Sequence, residues 1–358
     1  MDTRLMKTLI FIGSNSVHCQ RYLQQLIARQ QFKLVVITNQ LMPNLTQIEQ
    51  YIINFSLKNW CAAKQLINLL RQFNPEIVHI HQANSYAWHS LRAIKHLTPR
   101  PKVILTTWGS DVLLLPQQNK LMASLVKFNL QNSDIITCDA LFIAPRIRQL
   151  LAKVQRPIHC INFGVQNLPQ LATNLANKQK FILSNRLHKP LYQIDKIIHA
   201  FAQLITTKRI DPEYRLIIVA DGELNPQLRD LTQQLGISQS VEFTGLIAYE
   251  DLIKYYQQAQ LFVSIPLSDG TASSLLEAMA YGCIPIVSNL PANLEWVLDQ
   301  INGFIALNLD QLADYLVAGI ELANQAICYQ RLIEFNHQLI HQKAHPQHNF
   351  NKFLQLYE

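Results

Sequence analysis

The chain has 358 residues, enough for two domains of ordinary size, and its 15% charged and 49% hydrophobic content leaves neutral polar residues, chiefly Gln and Asn, to make up the balance. Six cysteines (Cys19, Cys61, Cys138, Cys160, Cys283 and Cys328) form no CxxC pair and no even cadence, which excludes a disulfide-stapled miniature and zinc knuckles and reads as a reducing compartment. The net charge of +7 is unevenly spread: residues 1–165 carry 18 Lys and Arg against 6 Asp and Glu, and residues 166–358 carry 13 against 18, so the two halves are expected to face different partners or surfaces.

At the start, basic residues precede an apolar run of about five residues, too short for a signal peptide and without a small-residue cleavage site. The run Thr8 to Gly13 reads as a buried strand ending in a turn, followed by a helical pattern through Val17, Leu23, Leu26 and Ile27 and a strand over 33–38. Strands over 77–80, 103–107 and 135–138 follow, separated by helices over 62–73, 86–96 and 120–130, with another helix over 141–153. Short apolar strands spaced by amphipathic helices predict a parallel sheet covered on both faces.

A polar stretch over 166–180, with six Asn or Gln and a single proline, reads as a linker. The alternation then restarts with strands over 181–183, 216–219, 241–243, 261–265 and 284–287. The helices between and after them are expected over 194–204, 227–235, 252–259, 273–281 and 294–298. Helical periodicity runs over 309–322 and again from Cys328 to Tyr357, interrupted by His345-Pro346, where proline should end or kink a helix. No segment reaches eighteen consecutive apolar residues, so the expectation is a chain without a membrane span, soluble or peripherally attached.

Doubly wound sheets carry their functional loops beyond the carboxyl ends of the strands. Only 10 glycines occur, and Gly13, Gly109, Gly222, Gly245 and Gly270 fall at or near the ends of apolar runs, where a missing Cβ permits tight turns and close approach of a ligand. The densest candidate is Ser268-Asp269-Gly270-Thr271-Ala272-Ser273-Ser274, followed by Glu277 one turn into a helix. Helix-start N–H groups attract phosphate, and a carboxylate can accept both O–H bonds of a vicinal diol. An ordinary Ser/Thr N-cap followed by a solvated glutamate would give the same pattern.

A second candidate, Arg186 with Lys189, offers a planar charged fork and a point charge suited to a diphosphate, or else a merely solvated charged loop. In the first half, His79 and His81 share one face of an extended strand; one core and one surface histidine is the bland alternative. Metal binding would need another ligand, with Asp111 conceivable. Trp108-Gly109-Ser110-Asp111 could hold a sugar by stacking and hydrogen bonds.

Together these residues resemble the retaining GT-B glycosyltransferases of family 4. The resemblance rests on Asp269-Gly270-Thr271 through Glu277-Ala278-Met279-Ala280, similar to the family's Glu-x7-Glu region, and on Gly282 to Ser288 and Pro291 to Trp296 after it. It extends to Gly13, His18, His79-Ile80-His81, Trp108 to Asp111, Gly164-Val165, Arg186 and the turn Ala220-Asp221-Gly222-Glu223. The implied fold is two doubly wound Rossmann-like domains facing a central cleft. Residues 1–165 would form the acceptor-side domain, 166–180 the linker and 181–325 the nucleotide-sugar domain. Residues 326–358 would form a helical tail whose last helix crosses back to the first domain.

The resemblance implies that Glu277 holds the ribose of a UDP- or GDP-sugar and Asp269 the transferred sugar. Arg186 would hold the diphosphate with N–H groups of Gly270, Thr271 and Ala272, and Gly13 and Ser14 would lie against the phosphates. His81 would stand near the reacting sugar or acceptor, with His18, Trp108 and Asp111 on the acceptor side. Two positions depart from the pattern: the first Glu is Asp269, one methylene shorter, and a second basic residue is replaced by Leu191, a place Lys189 would have to fill.

The reaction so implied is transfer of a sugar, with retention, to a saccharide or lipid-linked saccharide of a bacterial cell envelope. It would need no catalytic metal or other cofactor. The basic first half then suggests a cytoplasmic enzyme held peripherally at an anionic membrane. A nucleic-acid partner lacks any RNP-like, zinc-finger or GXXG pattern. A nonenzymatic nucleotide-sugar-binding protein or an epimerase on the same scaffold remains as an alternative.

Overall fold

The computed structural model describes residues 6–170, 172 and 174–358. The opening Met1 to Leu5, and Leu171 and Thr173 of the expected linker, lie outside the described residues. The chain divides into two compact units, one running to Phe163 and taking in Asn349–Glu358, the other Gly164–His348.

The first unit holds seven strands: β1 (Thr8–Ile12), β2 (Lys33–Thr38), β3 (Glu49–Ile52), β4 (Ile77–His81), β5 (Lys102–Thr106), β6 (Ile135–Cys138) and β7 (Ile158–Cys160). All pair in parallel, in the order β3-β2-β1-β4-β5-β6-β7. Its helices are α1 (Val17–Arg29), α2 (Ala62–Phe73), α3 (Ser85–Ile94), the short α4 (Ser110–Leu113) and α5 (Leu115–Gln118), α6 (Lys120–Asn132) and α7 (Ile143–Leu151). Strands β1 and β4 are buried almost throughout because helices cover both faces, which is why β1 reads as an apolar run and even the two histidines of β4 lie inside.

The second unit has β8 (Gln179–Ser184), β9 (Arg215–Val219), β10 (Val241–Gly245), β11 (Ala259–Ser264), β12 (Ile284–Ser288) and β13 (Phe304–Ala306), again parallel, in the order β10-β9-β8-β11-β12-β13. Its helices are α8 (Ile194–Thr206), α9 (Asn225–Gln234), α10 (Tyr249–Gln258), α11 (Ser273–Ala280), α12 (Pro291–Leu294), α13 (Leu312–Ala323) and α14 (Ala326–Lys343), while α15 (Pro346–Gln355) belongs from Asn349 onward to the first unit. The helical interruption falls where proline demands it: α14 ends at Lys343 and α15 begins at Pro346. Gly164 packs on that break with φ +75°. A Cβ there would meet Pro346 Cα at 2.7 Å and the Ala344 carbonyl oxygen at 2.8 Å, so both conformation and space require glycine.

Three strands escape the sequence reading. β3 (Glu-Gln-Tyr-Ile) is polar and half exposed, β7 is three residues of mixed exposure, and β13 is three buried residues, too short to carry a period. The expected linker is also shorter than its composition suggests. β8 begins at Gln179, and Lys178 is pulled into the unit, its ammonium donating to the carbonyl oxygens of Tyr256, Ala259 and Tyr281 at 2.7–3.1 Å. The helix expected over 294–298 lies instead at Pro291–Leu294, because proline's fixed φ suits the first helical turn.

Both sheets reverse direction of growth at one place, between β1 and β4 in the first and between β8 and β11 in the second. At such a switch point the loops after the two strands diverge to opposite faces and leave a crevice at their carboxyl ends.

Candidate active site

In the second unit, the loops leaving β8 and β11 carry the candidate donor residues and are stitched together. Leu267 N donates to Leu191 O at 2.9 Å, and Gln193 Nε2 to Ile265 O at 2.6 Å. Two residues past β8, Arg186 places Nη2 2.6 Å from Asp269 Oδ2 and Nη1 3.0 Å from Ser274 Oγ, with its guanidinium 4.5 Å over the Tyr192 ring. Burial opposes its charge, but the Asp269 carboxylate and Tyr192 outweigh burial and raise its pKa further. With the side chain only 11% exposed, Arg186 belongs to a packed ion pair, which overturns the solvated-loop alternative. Lys189, by contrast, is exposed, and Leu191 spends its carbonyl on the stitch between loops.

Helix α11 starts after Ala272, whose side chain cannot cap it, so Ser273 and Ser274 lie inside the helix and no side chain occupies the N-terminal position. Nor is Glu277 solvated. It is 3% exposed, and Tyr249 Oη donates to Oε1 at 2.9 Å while Tyr256 Oη donates to Oε2 at 3.1 Å. The Ser/Thr-cap alternative therefore fails at both ends. The structure brings Arg186, Asp269, Gly270, Thr271, Ala272 and Glu277 to the carboxyl end of the β8/β11 switch point.

Sequence reasoning missed Tyr192, Tyr249 and Tyr256. Tyr249 and Tyr256, two of the three tyrosines on α10, are seven residues apart and so share one helix face, a signal that the amphipathic pattern of the segment concealed. Beside the site, the turn Ala220-Asp221-Gly222 lies against His188. Ala220 carries φ +89°, a value glycine adopts freely, and Asp221 Oδ1 accepts from Gly222 N and Asn225 Nδ2, both at 2.7 Å.

In the first unit, Gly13 and Ser14 follow β1 and His81 closes β4, again at the switch point. A Cβ on Gly13 would come within 2.9 Å of the Phe11 ring and 3.2 Å of Cys19 Sγ. Cys19 Sγ lies 4.0 Å from Ser14 Oγ and 3.9 Å from His81 Nδ1, linking the two loops. The His81 ring sits 5.7 Å from Trp108, and Trp108 sits 5.1 Å from the exposed His18, so these three gather in one aromatic corner.

The one-core, one-surface expectation for the histidines is corrected, since both are fully buried with rings 4.7 Å apart. His79 is hydrogen-bonded to Tyr357 Oη at 2.6 Å and Thr106 Oγ1 at 2.7 Å, and burial pushes its pKa down to about 3. Burial, then the neighbouring His79, drives that of His81 well below its usual value, and His81 Nε2 meets no hydrogen-bond partner among the described residues. Asp111 is placed differently from its expected acceptor-side role. Its oxygens accept from Ala83 N at 2.6 Å and Trp108 N at 2.9 Å, joining the loops after β4 and β5, and burial raises its pKa to about 6 against those hydrogen bonds. Among the described residues no group of three His, Cys, Asp or Glu is arranged to hold a metal ion, and no helix is long and apolar enough to cross a membrane.

Two parallel doubly wound units, with an arginine, an acid and a buried glutamate on the second, define a glycosyltransferase of the GT-B fold. The model "Glycosyl transferases group 1" matches residues 170–325 and "Glycosyl transferase 4-like" residues 7–140. N-acetyl-alpha-D-glucosaminyl L-malate synthase of Bacillus anthracis is 21% identical over 73% of this chain and 70% of its own length. Alpha-monoglucosyldiacylglycerol synthase of Streptococcus pneumoniae is 28% identical over 48% of this chain, a match spanning 37% of that enzyme. The Anabaena protein Alr3699/HepE, solved with UDP-glucose, superposes with a TM-score of 0.79 over 98% of each chain at 13% identity. One glycosyltransferase model thus falls on each unit, and the chain is a glycosyltransferase, similar to the group 1 enzymes over residues 170–325.

Proposed function

We propose that the second unit binds a UDP- or GDP-sugar with Arg186 on the diphosphate, Asp269 on hydroxyls of the transferred sugar and Glu277 on the ribose. The observation that carries this is the packed Arg186–Asp269 pair beside buried Glu277 at one switch point. Amide groups of Gly270, Thr271 and Ala272, at a helix start that no side chain caps, favour a phosphate there. A diphosphate matched in this way leaves without a strong acid, since its developing charge is met by the guanidinium and amides. The departing oxygen then takes the proton of the acceptor hydroxyl as that hydroxyl attacks the same face, and configuration is retained. Lys189, exposed on the β8 loop, would add a point charge if the diphosphate extends that way.

In this reading His81, with His18 and Trp108, serves the acceptor. Buried and neutral, His81 acts there as a hydrogen-bonding group and not as an acid. A relative whose name describes glycolipid synthesis, and a neighbour solved with UDP-glucose, support a UDP donor and an envelope saccharide or lipid-linked acceptor.

Peripheral attachment to anionic lipid is supported by the segment after β3. Trp60 is 88% exposed and Leu57 40% exposed there, with Lys58 and Lys64 nearby and no Asp or Glu between residues 50 and 75. Cosedimentation with anionic vesicles at low salt, lost in Trp60→Ala, is the expected outcome, and equal absence of binding at low and high salt removes this part. For the donor site, UDP and GDP should raise the melting temperature. Arg186→Ala and Glu277→Ala should each reduce that shift, and binding unaltered by both overturns the assignment.

A further inference from the structure

A carboxylate that reads two neighbouring hydroxyls must present both oxygens in the plane of the diol, yet rotation about the last side-chain bond of a glutamate is soft. Glu277 is held at both ends. Tyr249, half-buried at the start of α10, donates to Oε1, and Tyr256, fully buried seven residues later, donates to Oε2. Tyr256 is itself fixed: its ring stacks on Tyr281 with an interplanar angle of 4°, and its hydroxyl accepts from Asn185 Nδ2 at 2.6 Å. Asn185 precedes Arg186 in the chain, so one polar sequence runs from Glu277 through Tyr256 and Asn185 to the Arg186–Asp269 pair. Burial, and then the charge of Glu277, raise the Tyr256 pKa well above its usual value, so its hydroxyl keeps the proton it donates.

We propose that Tyr249 and Tyr256 are positioning residues that set the Glu277 carboxylate plane for reading the ribose 2′- and 3′-hydroxyls, with Asn185 tying that plane to the arginine arm. This rests on the assignment of Glu277 to the donor ribose. The two phenols supply a specificity for ribonucleotides that the glutamate alone would lack, because a carboxylate free to turn meets a diol in few of its orientations. Each donor to a charged oxygen is also a hydrogen bond of the stronger, charge-assisted kind.

The test is titration calorimetry of the full chain with UDP and GDP and with their 2′-deoxy counterparts, alongside melting temperatures. The wild type should prefer the ribonucleotide by about ten-fold or more, the size of one hydrogen bond to a charged group. In Tyr249→Phe and Tyr256→Phe the ribonucleotide should weaken by about ten-fold while the deoxynucleotide changes little, bringing the two affinities together. Tyr249→Phe, at the less buried position, keeps the test open should Tyr256→Phe fail to fold. If both nucleotides weaken in parallel, or the preference survives both substitutions, the tyrosines only support the fold and the proposal is wrong, while the donor assignment stands. If the wild type binds neither UDP nor GDP, or Glu277→Ala leaves the ribose preference intact, the assignment of Glu277 fails and this inference falls with it.

Discussion

Acidification should unfold the first unit from within, through His79 and His81. Both have folded-state pKa values depressed by burial, His79 to about 3, so the stability they confer is present above the unfolded value of 6.5 and is lost as pH falls below it. Each proton that the folded state refuses costs about 1.4 kcal/mol per pH unit, so the pair gives a slope of about 2.7 kcal/mol per unit below pH 6.5. Asp111 acts in the opposite sense. Its pKa is raised to about 6 from 3.8, so its contribution is full below 3.8 and lost as pH rises through 6, which returns about 1.4 kcal/mol per unit between those values. Between pH 6.5 and pH 4 His79 alone loses about 3.4 kcal/mol and Asp111 returns about 2.7 kcal/mol, so the net fall in stability comes chiefly from His81, whose loss has the same sign as that of His79. Urea unfolding followed by tryptophan fluorescence reads it, since Trp60, Trp88 and Trp108 all belong to this unit. His81→Asn should remove about half of the initial slope near pH 6. A stability that stays flat between pH 7 and pH 5, or a slope unchanged in His81→Asn, would refute the reasoning.

Three further substitutions probe the second unit. Arg186→Ala strips Asp269 of its partner at 2.6 Å and should weaken UDP or GDP binding by about 3 kcal/mol, roughly a hundred-fold, by calorimetry; wild-type affinity would remove Arg186 from the site. Gly222→Ala would set a Cβ 2.6 Å from the His188 carbonyl oxygen and 2.9 Å from its backbone nitrogen, contacts that only backbone movement relieves. A loss of about 1–3 kcal/mol is expected in unfolding followed by Trp296, the one tryptophan of this unit. Lys178→Met keeps the length of the side chain but leaves three carbonyl oxygens without their shared donor, and should cost at least about 3 kcal/mol in the same measurement; a change below about 0.5 kcal/mol would show that water satisfies them equally well.

The parallel sheets were legible because strands covered on both faces must be largely apolar, and β1, β11 and β12 are. Strand β3, at the edge of its sheet, partly exposed on both faces and only four residues long, offers neither a run nor a clear alternation. At the donor site the charged residues were readable, since Arg186, Asp269 and Glu277 stand in loops and at a helix start where such groups need a reason. What could not be read was which groups meet across the fold: Tyr249 and Tyr256 reach Glu277 over 28 and 21 residues of chain. Asp111 shows the opposite failure. A loop acid beside a tryptophan looks like a ligand-binding residue, but two backbone N–H groups within 3 Å give it a structural task instead.

The pairing of Arg186 with Asp269 bears on how a highly charged donor is taken up. An unpaired arginine only 11% exposed would cost heavily in desolvation, and the adjacent carboxylate offsets that cost before any ligand arrives. The same contact, with the stack on Tyr192 and the bond to Ser274, holds the guanidinium fork in one orientation, so the rotamer freedom of a long side chain is already given up on folding and is not charged to binding. A diphosphate has two ways to meet this pair, by sharing the fork with Asp269 or by displacing it, and the shorter side chain at that position matters to both. Asp269 reaches the arginine at 2.6 Å from the β11 loop, and if it lets go to grip a sugar hydroxyl, the guanidinium is released to the phosphate in the same movement. Sugar recognition and phosphate recognition would then be one exchange of partners, and a bare nucleotide diphosphate, with no sugar to draw Asp269 away, should bind with a smaller contribution from Arg186 than the intact nucleotide sugar does.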